Sequence, residues 1–252
     1  MFLAKIVFGP EPSERQDREE LIDAAEWCLE LLSRNGHING PSVMQWCEGR
    51  LTSFSSLPRR DSLSPKFFGE FTRASWDLVV SRFGKAPQIE ILNAEDSKRF
   101  QSWKRSTWLF LYPFDFPEMS GLRIGDSTSP VPLYLLPISE GTREHICFWI
   151  RDYQHHYGIW LSGGALENSA YTELTDFQSC LLKTGRELAK EVERATGKET
   201  MSFAWSYSER EDDKEARSCP GCGRDWQKTI PSRHRDQYTL FDCVCRRCRL
   251  VR

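Results

Sequence analysis

No stretch of this 252-residue chain reaches the roughly 18 consecutive apolar residues that a membrane-spanning helix requires. The opening Met1-Phe-Leu-Ala-Lys-Ile-Val-Phe8 is apolar, but Lys5 interrupts it and Gly9-Pro10 stops it, so it is too short for a signal peptide or a span. Also missing are a glycine-rich phosphate loop, a nucleophile elbow and a spaced pair of carboxylates, which leaves catalysis a minority reading. The chain has no internal repeat and no low-complexity tract. An excess of either charge is absent too: 34 basic side chains face 36 acidic ones, a balance that excludes neither nucleic-acid nor protein partners. These absences lead us to expect a soluble cytoplasmic protein with no membrane partner.

What is present concentrates at the C-terminal end. Cys219-Pro-Gly-Cys222-Gly and Cys245-Arg-Arg-Cys248-Arg are separated by 22 residues that include Trp226, His234, Tyr238 and Phe241. Two pairs at two-residue spacing supply four thiolates for one tetrahedral ion, so Cys219, Cys222, Cys245 and Cys248 are the expected ligands of a structural Zn²⁺ in a zinc ribbon. Cys243 lies near enough to compete, but only Cys245 has the right spacing to Cys248. A redox dithiol is the weaker reading of Cys219-Pro-Gly-Cys222, because no helix signal follows Trp226 and a second pair is present. Four thiolates leave no coordination position for water, so catalytic zinc is not expected either.

The tail is also where the basic charge gathers. Between Lys214 and Arg252 there are ten basic and four acidic residues, a formal +6, against −8 for residues 1–213. Arg233, Arg235, Arg246, Arg247 and Arg249 are the expected contacts to DNA or RNA phosphates. Trp226, Tyr238 and Phe241 could stack on unpaired bases, but the simpler reading makes Trp226 and Phe241 the ribbon's own core. The runner-up function is a protein adaptor with the ribbon as its docking module. A third is an enzyme or small-ligand binder using the body near Trp160 and Ser162-Gly-Gly-Ala-Leu-Glu167.

The fold class read from the pattern is α+β: a mixed sheet with packed helices over residues 1–207, a charged linker over 208–217, and the ribbon over 218–252. Residues 2–8 read as a strand buried on both faces, followed by a helix from Ser13 that Gly36 stops. A second helix is expected around 68–83, and strands at 49–54, 88–92, 107–112, 131–136 and 201–207, with a long loop over 113–130. Helical spacing runs through Ile146, Trp149, Ile150, Tyr153, Tyr157 and Trp160. A further helix is expected over 175–196, capped near Thr175 or Asp176 and ended by Gly197. Cys28, Cys47, Cys147 and Cys180 read as small core residues, His155 and His156 as surface residues, and Trp76, Trp103, Trp108, Trp149, Trp160 and Trp205 as core.

Taken together, the opening Met1–Phe8, Trp149, Tyr153, Trp160, Ser162-Gly-Gly-Ala-Leu-Glu167, Gly185-Arg186-Glu-Leu188, Glu193, Thr196-Gly197 and the two cysteine knuckles resemble a proteobacterial family of uncharacterised zinc-ribbon-containing proteins described as candidate nucleic-acid binders. The resemblance implies a bacterial protein with a zinc ribbon and a nucleic-acid role. That role rests on the ribbon itself.

Overall fold

The computed structural model describes residues 2–94, 102–114, 121–205, 218–228, 241 and 243–252. The charged stretch 208–217 lies outside them, as do His234 and Tyr238. The chain divides into two compact units, residues 1–100, 116–120 and 132–144 forming the first and the remainder the second.

In the first unit, β1 (Phe2–Pro10), β2 (Asn39–Cys47), β3 (Arg50–Leu57) and β4 (Gln88–Ala94) form an antiparallel sheet in the order β2-β3-β1-β4. The central strand is buried on one face rather than two. Ala4, Ile6 and Phe8 pack with Ala25, Cys28 and Leu32 of α1 (Arg15–Arg34) and with Trp76 and Val79 of α2 (Glu70–Phe83), while Leu3 on the other face is 44% exposed. Helices cover one side only, so the side-chain period of two decides which residues are dry. β2, which the sequence does not announce, turns into β3 through Glu48 and Gly49, both at positive φ (51° and 69°), the twist a two-residue hairpin needs.

Helix α1 ends on Asn35, and Gly36 (φ 76°) carries the chain away from it. The buried His37 follows, with Nδ1 2.8 Å from the Ser62 carbonyl and its ring stacked on Tyr134 at 4.5 Å. Tyr134 belongs to a short 3₁₀ turn, Leu133–Leu135, where a strand over 131–136 is expected from sequence; Pro130, Pro132 and Pro137 remove the donors a ladder would use.

The second unit is built on a six-stranded mixed sheet. β5 (Trp108–Leu111) pairs antiparallel with β6 (Leu122–Ile124), a short strand inside the expected loop, and parallel with β7 (Glu199–Phe203). On its far side β7 pairs parallel with β10 (Leu250–Val251), which leads antiparallel to β9 (Cys243–Cys245) and β8 (Gln227–Lys228). The strands of the cysteine-rich tail therefore continue the sheet of this unit.

Helix α3 (Glu140–Ser162) contributes residues from 145 onward here, burying Ile146, Trp149, Ile150 and Tyr153 at the expected helical spacing. Gly163 and Gly164, both at positive φ, turn the chain into α4 (Glu167–Thr175), a helix missing from the sequence reading. Consequently α5 (Cys180–Thr196) starts later than 175, where the Ser179 hydroxyl accepts from the Leu182 amide at 3.1 Å. Its buried face is Leu181, Leu182, Gly185, Leu188, Ala189 and Val192, and Gly197 (φ 68°) ends it. Gly185 is small for a reason: a Cβ there would lie 2.4 Å from the Ser202 hydroxyl of β7 and 2.9 Å from the Trp149 indole nitrogen. Close approach of α5 to β7 places the helix beside the tail.

Of the scattered cysteines only Cys28 is a core residue; Cys47 and Cys147 are half-buried and Cys180 is exposed at the first turn of α5. Trp76, Trp108 and Trp149 are buried as expected, while Trp103, Trp160 and Trp205 are only partly so, with the Trp160 and Trp205 rings in tilted contact at 5.6 Å between centres. His155 is exposed and His156 half-exposed.

Candidate metal centre

The first knuckle is a tight turn held by its own backbone. The Cys219 amide donates to the Arg224 carbonyl at 2.8 Å, the Gly223 amide to the Cys219 carbonyl at 2.8 Å, and the Gly221 amide points at the Cys219 sulfur at 3.4 Å. Gly223 takes φ 65° with open space around it, so its role is conformational. Gly221 has a different role. A Cβ there would meet the Phe177 ring at 2.5 Å and the Cys248 sulfur at 2.8 Å, so bare backbone is needed to fit the turn between that ring and the second knuckle.

The second knuckle runs from β9 through the turn 246–249 into β10. The Arg249 amide donates to the Arg246 carbonyl at 3.3 Å, Arg249 lies at φ 57°, and paired bonds of 3.1 and 3.0 Å link Cys243 and Arg252. Together the two knuckles bring the sulfurs of Cys219, Cys222, Cys245 and Cys248 within 4.8 Å of one another. Cys243 is not in this group.

A tetrahedral ion with metal–sulfur arms of about 2.3 Å has sulfurs about 3.8 Å apart. The Cys222 and Cys245 sulfurs are 3.7 Å apart, so the donor set fits a single ion. Cys219, Cys245 and Cys248 are buried and Cys222 is partly so. Without a cation three of these thiols differ in acidity: the Arg224 backbone amide pulls Cys222 down to about 7, whereas burial pushes Cys245 up to about 11 and Cys248 higher still. A bound cation reverses this, since it favours the thiolate at every position.

The side chains around the tetrad sort into three groups. Trp226 and Phe241 are buried, and Phe241 sits edge-on to Trp108 (5.4 Å) and Phe110 (4.9 Å) of β5, so this aromatic is core. Arg246 pairs with Glu199 and Arg249 with Glu193, so these two expected phosphate contacts are answered by carboxylates of the same unit. Arg247 is exposed and makes no ion pair among the described residues. Arg233 and Arg235 lie outside the described residues.

A cavity of about 320 Å³ opens beside the tetrad, with Phe177, Arg186, Lys190, Gly221, Arg247 and Arg249 in its wall. Arg186 and Lys190 stand four apart on α5 and so share a helix face. The Arg186 guanidinium lies 3.6 Å over the centre of the Phe177 ring and donates to the Phe177 carbonyl at 2.8 Å. Burial lowers its pKa, opposed by the electrostatic influence of Cys248, Glu187 and Cys219. Arg186 entered the sequence reading only as part of Gly185-Arg186-Glu-Leu188 in the family resemblance, and Lys190 not at all; the i, i+4 pair was the available signal.

Residues 103–205 match the family described as Domain of unknown function (DUF2310), and residues 208–252 that described as Domain of unknown function (DUF8594). Two curated proteins of Haemophilus influenzae, each called "Uncharacterized protein", are 29% identical to this chain over 146 residues. The match spans 57% of this chain, with 70% of the length of one relative and 54% of the other. No solved structure matches. The bacterial kinship agrees with the resemblance seen in the sequence, while neither family description names a zinc ribbon or a nucleic acid.

Proposed function

We propose that this is a non-catalytic protein organised by one structural Zn²⁺ on Cys219, Cys222, Cys245 and Cys248, and that the cationic surface around this ribbon binds nucleic acid. The observation that carries the reading is the closed donor set of four sulfurs bordered by exposed Arg224, Lys228 and Arg247. Four thiolates satisfy a tetrahedral ion, which leaves that ion a structural role, and the flanking cations suit phosphate. The surviving contacts on the second knuckle centre on Arg247, with Arg233 and Arg235 as further proposed contacts. Zinc would supply the free energy that a tail of this size cannot gain by apolar burial alone.

Titration of the zinc-loaded full chain with single- and double-stranded DNA and RNA at two salt concentrations tests this. Binding that weakens steeply with salt is expected, and absence of binding at low salt eliminates the reading. The ion pairs of Arg246 and Arg249 favour a second reading, a docking module for a protein, because they remove two cations from phosphate recognition. That reading predicts a captured partner whose recovery is unchanged by nuclease.

A further inference from the structure

We infer that the cavity between α5 and the second knuckle is a phosphate-binding site whose recognition groups are Arg186, Lys190 and Arg247. The inference deepens the nucleic-acid reading and rests on it for the source of the phosphate, but the site is defined by its own chemistry.

Three observations converge on it. The first is position: two cations from a helix and one from a turn line one concave space, an arrangement that lets a tetrahedral oxyanion be contacted from more than one side. The second is preorganisation. Arg186 is held by the Phe177 ring and by one bond to the Phe177 carbonyl, which uses one of the five donors of the guanidinium and leaves the others in a fixed plane. Less rotamer freedom is then lost on binding than for a free arginine. The third is availability. Lys190 and Arg247 are exposed and neither makes an ion pair among the described residues, in contrast to Arg249, whose charge Glu193 answers.

Charge balance sets the strength. A Zn²⁺ with four thiolates carries a net −2, and Arg186, Lys190 and Arg247 carry +3, so the surplus facing a ligand is small. Affinity for a lone phosphate is therefore weak, and recognition depends on directed N–H donors at the rim more than on the field. A polymer that presents phosphates in series would gain from neighbouring cations such as Lys228, which a free phosphate cannot reach at the same time. The same chemistry serves a phosphodiester backbone and a small phosphorylated molecule, and the experiment separates them.

The zinc-loaded full chain is titrated with inorganic phosphate, followed by amide shifts in the nuclear magnetic resonance spectrum, and with a fluorescent single-stranded oligonucleotide, followed by anisotropy. Lys190→Glu and Arg247→Glu are compared with Lys228→Glu, which makes the same charge change on β8 away from the cavity wall; all three positions are exposed, and zinc content and melting temperature check that each variant is folded. The expected result is that phosphate shifts the amides of Gly221, Arg247 and Lys190, and that K190E and R247E each weaken the oligonucleotide about tenfold and flatten its log-log salt slope by about 1, with a smaller loss for K228E. Equal losses in all three variants, with no phosphate-induced shifts at the cavity, overturn the site and leave the nucleic-acid reading standing. Phosphate shifts at the cavity with no oligonucleotide binding support the site, assign it to a small phosphorylated ligand, and sink the nucleic-acid reading. Absence of both kinds of binding overturns the site.

Discussion

Arg249 grips the Glu193 carboxylate with both of its terminal nitrogens, one of them at 3.1 Å, and so ties the turn of the second cysteine knuckle to the last turns of α5. The Thr200 amide at the start of β7 donates to the same carboxylate at 3.3 Å. One acidic side chain thereby joins a helix end, a strand start and a metal knuckle. The Arg249 hydrogen bond holds the Glu193 carboxyl below its ordinary range, so the contribution of the pair is present above that range and lost as pH falls through the lowered value.

Glu193→Ala is expected to lower stability by about 1 kcal/mol, no more, because both partners are nearly a third exposed and solvent screens them. It also frees Arg249 beside the cavity. The log-log salt slope for oligonucleotide binding should therefore steepen by about 1, as read from anisotropy at several salt concentrations. An unchanged slope would mean that Arg249 does not face the ligand.

The two glycines of the first knuckle should respond differently to alanine. At Gly221 the added methyl collides with the Phe177 ring and the Cys248 sulfur, so Gly221→Ala is expected to lose zinc at lower chelator concentration than the parent chain. Gly223→Ala meets nothing within 4 Å and suffers only its left-handed backbone, a cost of about 1 kcal/mol, with zinc retained. A chelator competition on both variants checks the contrast; identical behaviour would contradict the packing described for Gly221.

Metal removal should reach beyond the tail. The Ser202 amide donates to the Arg249 carbonyl and the Ala204 amide to the Val251 carbonyl, each at 2.9 Å, so the protection of β7 on this side depends on β10. If zinc supplies about 10 kcal/mol or more to the ribbon, chelation should expose both amides to rapid hydrogen exchange, while those of β5 and β6 stay protected. Unchanged protection at Ser202 and Ala204 would show that the strand pairing survives without metal.

His37 makes the stability of the first unit sensitive to mild acid. Burial drives its pKa down to about 4, opposed by the Ser62 carbonyl and Glu140 and reinforced by Arg143. The unfolded chain takes up a proton near 6.5, so the contribution of neutral His37 is full above that value and is lost as pH falls from about 6.5 toward 4, by about 3 kcal/mol. His37→Phe keeps an aromatic ring against Tyr134 but cannot titrate. Chemical denaturation across this range should show a flatter dependence for the variant; equal slopes would place the acid sensitivity elsewhere. Glu140, held low by Thr72 and the Phe71 and Thr72 amides despite its burial, acts only at lower pH.

The elements legible in the sequence are those whose pattern and burial agree. α1, α3 and β7 carry strong periodicity, and the cysteine spacing pointed to the four sulfurs that the fold brings together. β2 was hidden because Asn39-Gly-Pro-Ser reads as a turn, although the strand begins there and bulges before Val43. β6 is three residues long, and its ladder with β5 and its bridge from Arg123 to Pro130 are made across turns rather than along a periodic run, so no local pattern could mark it. The separate α4 was lost because Thr175 and Asp176 look like caps for the longer helix, whereas the hydroxyl that caps α5 is that of Ser179. The ion pairs of Arg246 and Arg249 join residues 47 and 56 positions apart, a distance at which charge counting along the chain is silent.

The most direct test of the account is X-ray absorption spectroscopy of the full chain purified with its metal, together with elemental analysis. The account predicts one zinc per chain in a shell of four sulfurs at about 2.3 Å, with no nitrogen or oxygen in it. A chain that folds with no stoichiometric metal, or a shell in which water or histidine replaces one of the sulfurs, would contradict it.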